Sequence, residues 1–542
     1  MYFYCAVVWY FYLSLYFTEI KTAMINRIFV LVVACVVSTF SLSAYSGPQN
    51  LIPAPVCHSV SDGTYLLKGD NSDVKVHLSS PAFRTRVAQL PEFAQEEAYE
   101  LIVNKKGVTV NALTQEGAFR AMQALKMMSL IDARIQYCSI FDYPRFQHRG
   151  LMLDESRSFK GKEYIKKQIE AMALLRMNVL HLHLTDAAGW RLQIDSYPNL
   201  TDHVAWRIGE TYHEWEALGY PFTNAQDPNA YGGFYTKDDI REIVAFAAER
   251  HIDIIPEIEM PGHSMEVNRA YPEIACVGPD GKPRPFSWDL CVGNEGTFEF
   301  LEKVLEEVIE LFPYKYIHIG GDEAAKKDWE VCVNCQKRMQ EEGMKHKDEL
   351  QGYMVRRIEA FLRERGRTVI GWDEIVETGL PEQATVMSWR GTPGGIKASS
   401  EGHDVIMSPN TYLYLDYYQD LIKKEPKAVG HMQSLRHVYK YDPLEGIGEE
   451  YHHHILGVQG NLWCELIPYA AHAEYMLYPR AFAIAEIGWT PQEDREFFNF
   501  RERCLRLVTV FRQLGYNTFD LFGESLKAQT GRLRFDDPSF KL

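Results

Sequence analysis

Eight apolar runs of strand length recur along the chain from residue 148 onward, and helix-length amphipathic segments follow most of them. The runs are His148–Asp154, Asn178–Asp186, Ile252–Glu259, Tyr316–Gly321, Thr368–Asp373, Ala384–Trp389, Asp404–Met407 and Leu456–Trp463. The clearest helical patterns are Glu163–Arg176, Lys237–Glu249, Thr297–Leu311 and Glu349–Glu364. Apolar strands that alternate with helices are typical of a parallel sheet covered on both faces. Eight such units in roughly 350 residues predict an α/β fold, a (β/α)8 TIM barrel with long loops after its strands.

An open doubly wound sheet is the main alternative for this pattern. That fold often carries a G-x-G-x-x-G loop after its first strand, and no such loop follows His148–Asp154. We therefore favour the closed barrel.

The sequence before the barrel has a different pattern, with shorter alternating segments. Three strand candidates precede one helical pattern: Val74–Leu78, Glu100–Val103, Gly107–Asn111 and then Glu116–Met128. Pro144 and the change of pattern at Gln147 mark a domain boundary. We predict a targeting region, a small α+β domain, the barrel, and a C-terminal helix and tail, over residues 1–47, 48–145, 146–500 and 501–542.

The N-terminal region has the features of an export signal. Met24 opens it, Arg27 supplies a positive charge, and an apolar stretch covers residues 28–42. We expect translation to begin at Met24 and the mature protein to be exported, to the periplasm, the outer surface or the medium. An alternative is a lipoprotein signal in which Cys35 becomes the lipidated first residue.

Composition and charge exclude several classes of partner. The chain has 46% apolar and 24% charged residues, as ordinary globular proteins do, and a formal net charge of −16. Binding to nucleic acid or to an anionic membrane surface requires a basic face, so neither partner is expected. Outside the N-terminal signal, the sequence has no apolar run of about 18 residues, and we expect no transmembrane span in the mature protein.

Ten cysteines are present, and their spacing does not match a zinc motif. Cys276 and Cys291 flank a loop rich in glycine and proline, which a disulfide could close. Cys332 and Cys335 form a single C-x-x-C, and no second pair follows at zinc spacing. The sequence therefore predicts a loop disulfide or two free thiols, and no metal site.

Polar and aromatic side chains follow seven of the eight predicted strands. They are Asp154, Glu155 and Arg157; His183 and Asp186; Glu257, Glu259 and His263; Asp322 and Glu323; Trp372, Asp373 and Glu374; Trp389 and Arg390; and Trp463 and Glu465. A single acid at a strand end is commonly a helix cap or an ion-pair partner. Seven strand ends with such residues indicate an active site, which in a barrel lies at the carboxyl ends of the strands.

This set of residues is rich in carboxylates and tryptophans. The sequence has no G-x-S-x-G motif and no phosphate-binding loop. Carboxylates supply proton transfer at a glycosidic oxygen, and indole faces pack against the apolar face of a pyranose ring. The residue types therefore favour a carbohydrate as the substrate.

Several motifs at these strand ends together resemble one enzyme family, glycoside hydrolase family 20, the β-N-acetylhexosaminidases, in its exported bacterial form. The motifs are Arg149–Asp154 with Arg157, His181–Asp186, Pro256–His263, His318–Glu323, Gly371–Glu374, Trp389-Arg390, Tyr414–Asp416, Gly460–Glu465, Tyr478–Arg480 and Trp489–Pro491. The resemblance covers roughly residues 50–500, including a small leading α+β domain of the kind these enzymes carry.

The resemblance implies a retaining hydrolysis in which the 2-acetamido group of the substrate acts as the nucleophile. Asp322 is then expected to orient the acetamido N–H and stabilise the developing positive charge. Glu323 is expected to be the general acid and then the general base. Partial burial beside an ionised Asp322 is expected to raise the pKa of Glu323. The mechanism implies no cofactor and no metal.

The resemblance also implies roles for other residues around the sugar. Arg157 is expected to bind the 3- and 4-hydroxyls, and Tyr414 the acetamido carbonyl. The expected aromatic walls of the pocket are Trp372, Trp389 and Trp463. The outer hydroxyls are expected to contact Asp416 and Glu465. Support behind these residues is expected from Asp186 and His263.

We therefore predict an exo-acting enzyme that removes terminal β-linked N-acetylglucosamine or N-acetylgalactosamine from a glycan. One alternative is a disaccharide-releasing (lacto-N-biosidase-like) member, which would differ in loops 202–235 and 265–296. The other is a non-catalytic carbohydrate-binding protein, but such proteins have usually lost one acid, and both Asp322 and Glu323 are present. The sequence leaves the oligomeric state open.

Overall fold

The computed structural model describes residues 46–69 and 71–530. The predicted start at Met24 and the lipoprotein candidate Cys35 lie outside these residues. Within the described part of the chain, no helix combines the length and the apolar character that a membrane span requires.

A five-stranded sheet forms the N-terminal part of the fold. Its strands are β1 (Cys57–Leu66), β2 (Val74–Leu78), β3 (Tyr99–Asn104), β4 (Gly107–Ala112) and β5 (Arg134–Asp142), in the order β1-β5-β3-β4-β2. The β2–β4 pair is parallel, and the other pairs are antiparallel. Strands β1 and β5 were not predicted; β1 is exposed over most of its length and therefore lacks the alternation that marks a half-buried strand.

Eight parallel strands then close into a barrel, which confirms the predicted fold class. They are β6 (His148–Asp154), β7 (Val179–His183), β8 (Asp253–Glu257), β9 (Tyr316–His318), β10 (Thr368–Trp372), β11 (Thr385–Ser388), β12 (Val405–Met407) and β13 (Ile455–Leu462). Each predicted run overlaps one of these strands; several strands end earlier than predicted, and β13 begins one residue before its predicted run. Inside the barrel, Val179, Ile255, Ile370, Met387 and Ile406 pack into one apolar cluster.

The helices lie between the strands and at the C-terminal end of the described chain. The helices of seven residues or more are Pro81–Val87, Gln115–Ile131, Lys162–Leu174, Lys237–Ala248, Glu295–Leu311, Val333–Glu341, Asp348–Glu364, Pro393–Ser400, Ala470–Leu477, Arg480–Trp489 and Phe497–Gln513. The shorter helices are Glu92–Glu97, Asn199–Asp202, Tyr212–Ala217, Met265–Ala270, Leu435–Tyr439 and Leu526–Thr530. A capping box at Thr236 and Asp239 fixes the start of Lys237–Ala248.

The loops after the strands carry small elements of their own. Three short strand pairs lie in them: Thr185–Asp186 with Gly189–Trp190, Trp206–Ile208 with Ala230–Gly232, and Tyr417–Tyr418 with Val429–Met432. These loops extend the carboxyl end of the barrel, where a (β/α)8 fold places its functional residues.

Candidate active site

A pocket opens at the carboxyl end of the barrel. Its lining residues are Arg157, His263, Asp322, Glu323, Trp389, Tyr414, Asp416, Tyr417, Val429, Trp463 and Glu465. Of the eleven catalytic and substrate-binding residues predicted from the sequence, nine are in this lining. The other two, Asp186 and Trp372, are buried next to lining residues, as described below. Tyr417 and Val429 also line the pocket and were not selected.

The turn after β9 brings the two acids to the pocket. Strand β9 ends at His318, before the predicted Gly321, because Gly320 and Gly321 take φ values of +67° and +97°. A side chain at residue 320 would be obstructed as well, since its Cβ would lie 1.8 Å from Glu259 Oε2. Glu323 itself has a φ of +46°, a strained value for a residue with a side chain. This tight turn places Asp322 and Glu323 together in the pocket lining.

The two neighbouring acids have different environments. The side chain of Asp322 is 11% exposed, whereas that of Glu323 is 61% exposed. A buried carboxylate is suited to hold a fixed charge near a ligand, and an exposed one is suited to exchange protons with water and with a leaving group.

His263 contacts both acids. Its Nε2 is 3.4 Å from Asp322 Oδ2 and 3.6 Å from Glu323 Oε2, and its Nδ1 is 3.1 Å from Asp186 Oδ2. Burial alone would lower the pKa of His263, but the carboxylates of Asp186 and Asp322 raise it well above its ordinary value. The imidazole is therefore held in its charged form between the carboxylates.

The position of His263 reverses one expectation from the sequence. The pKa of Glu323 is lowered, chiefly by its interaction with the His263 imidazole, although partial burial acts in the opposite direction. The prediction of a raised pKa for Glu323 rested on burial and on the neighbouring Asp322 charge alone. His263 comes from the loop after β8, and its approach to Glu323 depends on the closure of the barrel.

Asp186 connects His263 to Arg157. The Arg157 guanidinium lies 2.7 Å from Asp186 Oδ2 and 3.3 Å from Asp154 Oδ2. Arg157 also lies above the Trp463 ring, at 4.9 Å from its centre. Asp186 is 1% exposed and is absent from the pocket lining, so it acts on the pocket by positioning these two residues.

A further buried carboxylate, that of Glu257, lies beneath the pocket. It contacts His183 and lies 3.1 Å from His181 Nε2 and 2.8 Å from His318 Nδ1. Trp372 donates its indole N–H to Glu257 at 2.8 Å. Burial would raise the pKa of Glu257, but the three imidazoles lower it well below its ordinary value. The carboxylate thus fixes the residues that support the pocket from below.

Aromatic rings form one side of the pocket. Trp389 and Tyr414 are nearly parallel, with 6.1 Å between their centres, and Tyr414 lies 6.1 Å from Trp463. Trp372, selected as a wall residue, is 1% exposed and packs against Trp463 at 5.7 Å. The predicted three-tryptophan wall therefore consists of Trp389 and Trp463, and Trp372 lies behind Trp463.

Several buried oxygen atoms in the pocket accept no hydrogen bond from the described residues. They are Asp322 Oδ1, Asp416 Oδ1 and Glu465 Oε2. Burial, followed by the nearby Glu465 charge, raises the pKa of Asp416 well above its ordinary value. Buried polar atoms are normally paired, so these acceptors are free to receive N–H or O–H donors from water or from a bound ligand.

Glu374 lies outside the pocket lining and contacts one of its residues; the sequence placed it at a strand end without predicting a role for it. It accepts a hydrogen bond from Trp389 Nε1 at 2.9 Å. Burial and the Asp322 charge raise the pKa of Glu374 to about 8. The sequence feature that could have identified Glu374 is its position directly after Trp372-Asp373, at the end of a predicted strand. Glu374 fixes the orientation of the Trp389 ring.

Three clusters among the described residues have side chains close enough to hold a metal ion. Two of them share Glu257, once with His181 and His318 and once with His183 and Glu259. There the imidazoles already contact the carboxylate, which accounts for the arrangement without an ion. The third consists of Cys276, Cys291, Cys332 and Cys335, whose four sulfur atoms come together although the sequence spacing predicted no metal site.

Comparison with known families gives two matches that together cover most of the described chain. The model "Glycosyl hydrolase family 20, catalytic domain" matches residues 146–492, and "Glycosyl hydrolase family 20, domain 2" matches residues 67–143. The first match alone includes every residue of the pocket lining.

Among curated proteins, a beta-hexosaminidase of Porphyromonas gingivalis is 41% identical over 76% of this chain and 54% of its own length. A beta-hexosaminidase of Akkermansia muciniphila is 34% identical, over 76% of this chain and 82% of its own. The chain thus spans about half the length of the first relative and 65% of another, from Vibrio furnissii.

Solved structures also resemble this fold. An exo beta-N-acetylglucosaminidase from Vibrio harveyi, crystallised with N-acetylglucosamine, has a TM-score of 0.75 and 29% identity, over 88% of this chain and 79% of its own. A beta-N-acetylhexosaminidase from Bacteroides fragilis has a TM-score of 0.72 and 27% identity, over 88% of this chain and 99% of its own.

Proposed function

The chain belongs to glycosyl hydrolase family 20, and we propose that it is an exo-acting, retaining β-N-acetylhexosaminidase. Its substrate is a glycan with a terminal, non-reducing β-linked N-acetylglucosamine or N-acetylgalactosamine. The observation that carries the proposal is the pair of adjacent acids, Asp322 buried and Glu323 exposed, in one pocket with His263 in contact with both.

In the first step, the acetamido oxygen of the substrate attacks the anomeric carbon, and the bond to the leaving group breaks. Asp322 accepts a hydrogen bond from the acetamido N–H through an oxygen such as Oδ1, which has no partner among the described residues. Its negative charge stabilises the positive charge that develops on the cyclised acetamido group. Burial strengthens this interaction because little water screens it.

Glu323 gives its proton to the leaving oxygen in this step and takes a proton from water in the second step. In the open pocket, His263 lowers the pKa of Glu323, which suits the second step, in which a carboxylate is required. A bound sugar would displace water from the Glu323 carboxyl group, and desolvation raises the pKa of a carboxyl. Substrate binding thereby favours the protonated form that the first step requires.

The remaining polar groups are arranged to recognise sugar hydroxyls. Arg157 is held by Asp186 and Asp154 and presents a fixed guanidinium to the pocket. Asp416 and Glu465 each have a buried oxygen available to a hydroxyl donor. The faces of Trp389 and Trp463 supply apolar surface for the ring and the acetamido methyl group.

The dimensions of the pocket favour release of a single sugar over release of a disaccharide. Its volume is about 210 Å³, below the roughly 300–1,000 Å³ of typical small-molecule sites. The presence of both acids favours an enzyme over a binding protein.

The proposal is tested by comparing hydrolysis of 4-nitrophenyl β-N-acetylglucosaminide with that of 4-nitrophenyl β-glucoside. The two substrates differ at position 2, so strong activity on the first and almost none on the second is expected when the acetamido group takes part. Comparable rates on both would contradict the substrate-assisted mechanism. Activity restricted to oligosaccharides, with a disaccharide product, would support the alternative enzyme.

We also propose that the protein is exported, on the basis of the basic and apolar pattern that follows Met24. Fractionation of the producing cell, with mass spectrometry of the mature N-terminus, tests this. A mature chain beginning with a lipid-modified Cys35 would support the lipoprotein form, and an unprocessed chain retained in the cytoplasm would contradict export.

A further inference from the structure

Four cysteines come together at one side of the barrel's carboxyl end, outside the pocket lining. Cys276 and Cys291 lie in the segment after β8, and Cys332 and Cys335 lie in the segment after β9. All four are fully buried, and their sulfur atoms all lie within 4.8 Å of one another. The four other cysteines of the described chain are outside this cluster. We call these four residues the cysteine cluster.

Three of the six separations between the sulfur atoms are close to the edge length of a metal–thiolate tetrahedron, and all six are within 4.8 Å. Cys276 Sγ is 3.9 Å from Cys335 Sγ, and Cys291 Sγ is 3.6 Å from that of Cys332 and 3.7 Å from that of Cys335. Four thiolates at about 2.3 Å from a central Zn²⁺ lie about 3.8 Å from one another. A disulfide requires a separation of about 2.05 Å. We propose that the cysteine cluster binds one structural Zn²⁺ ion as a tetrathiolate site.

The surroundings of the cluster favour thiolates. Cys332 is the N-cap residue of the helix Val333–Glu341, and Cys335 lies in the first turn of that helix. The helix N-terminus therefore presents positive electrostatic potential to both sulfur atoms. The backbone N–H of Val277 also donates to Cys332 Sγ at 3.4 Å. Hydrogen bonds of this kind orient and stabilise metal-bound thiolates.

Gly293 allows the two segments to meet. A Cβ at this residue would lie 2.1 Å from the carbonyl carbon of Asn334 and 2.2 Å from the amide nitrogen of Cys335. The backbone that follows Cys291 is therefore in direct contact with the turn between Cys332 and Cys335. This approach completes the cluster from residues that are far apart in the sequence.

The site would join two segments that carry pocket residues. His263 precedes Cys276 in the segment after β8, and Glu323 precedes Cys332 in the segment after β9. Two hydrogen bonds join these two segments. Trp329 Nε1 donates to Leu290 O at 2.9 Å, and Ala325 N donates to Asp289 Oδ1 at 3.0 Å. A metal ion at the cysteine cluster would hold both segments in place and so support the contact between His263 and Glu323. Its role is structural, since no pocket-lining residue belongs to the cluster.

The test begins with the metal content of the unmodified full-length protein, purified without chelator. We expect about one zinc per chain by elemental mass spectrometry, and X-ray absorption is expected to give four sulfur neighbours at about 2.3 Å. A zinc-free preparation whose four cysteines form two disulfides, identified by peptide mapping under non-reducing conditions, would overturn the proposal. Zinc bound with nitrogen or oxygen neighbours would overturn it as well.

Variants locate the ion. Cys335→Ser is expected to lose most of its zinc and to melt at a lower temperature, because a ligand that binds only the native state stabilises it. Cys504→Ser, which changes another buried cysteine outside the cluster, is the matched control and is expected to keep its zinc. If Cys335→Ser fails to fold, the sulfur coordination in the unmodified protein still decides the question. Retention of full zinc content by Cys335→Ser would contradict the assignment.

Failure of this proposal and failure of the proposed function are distinguishable. Zinc content, sulfur coordination and melting temperature do not depend on any substrate. An inactive protein with one tetrathiolate zinc would support the metal site alone, and an active protein without zinc would support the hydrolase alone.

Discussion

His263 Nε2 lies 3.6 Å from Glu323 Oε2, so a charged imidazole contacts the proposed acid–base residue. Asp186 on the other side of the ring, together with Asp322, raises the pKa of His263. Glu323 therefore titrates as part of a connected group of charges. The first three predictions follow from this arrangement.

Glu323→Gln keeps the size of the side chain and removes its ability to transfer a proton. We expect a loss of about 10²–10⁴-fold in kcat on substrates with poor leaving groups. The loss is expected to be smaller for 2,4-dinitrophenyl glycosides, whose leaving group needs little protonation. Steady-state kinetics on both substrates measure this. Equal losses on both, or near-normal rates on both, would contradict the role assigned to Glu323.

Asp322→Asn removes a buried negative charge from the pocket and leaves the shape of the side chain nearly unchanged. We expect kcat to fall by about 10²–10³-fold, as for loss of one preorganised electrostatic contact. The melting temperature is expected to stay near that of the unmodified protein, because the loss concerns the transition state. Unchanged turnover would show that Asp322 does not stabilise the cyclised acetamido group.

His263→Gln removes the group that lowers the pKa of Glu323. Glu323 must be protonated in the first step, so activity falls as the pH rises through its pKa. Without His263 that pKa is higher, and we expect the basic limb of the kcat/KM profile to move to higher pH. His203→Gln, at an exposed residue outside the pocket lining, is the control and should leave the profile unchanged. A basic limb that stays in place in His263→Gln would contradict the contact.

Stability at low pH is predicted to depend on Glu97, far from the pocket. Its carboxylate contacts Arg149 and lies 2.8 Å from Arg120 Nε, and all three side chains are buried. Burial would raise the pKa of Glu97, but the two guanidinium groups lower it below its ordinary value. The group therefore contributes stability above its unfolded pKa, and this contribution is lost as the pH falls through the folded pKa.

Glu97→Gln is expected to destabilise the fold by about 3–5 kcal/mol at neutral pH, because it leaves the buried Arg149 guanidinium without a carboxylate and leaves Arg120 with Glu116 alone. Glu92→Gln, at an exposed residue of the same helix, is the matched control. Thermal melts between neutral and acidic pH measure both. The difference between Glu97→Gln and the unmodified protein should shrink as the pH falls, and a constant difference would contradict the assigned pKa shift.

The sequence by itself determined the barrel and predicted the end of it at which the candidate site lies. Apolar runs such as Val179–His183 and Ile455–Leu462 are buried along nearly their whole length, and that burial is visible as local composition. The residues after these runs could also be predicted to lie close together, because parallel strands in a barrel place their carboxyl ends at one side. Strand β1 was missed because it buries too little apolar surface to produce a pattern.

Only the tertiary structure decided which of these residues touch. It brought His263 to Glu323 and so reversed the expected pKa shift, and it placed Trp372 behind Trp463. It also brought together the cysteine cluster, whose members come from two separate loops. Local periodicity records whether a segment is a strand or a helix, since it reflects burial of that segment alone. Contacts between loops depend on how the barrel closes and how tightly backbones approach, as at Gly293 and Gly320, and no local pattern contains that information.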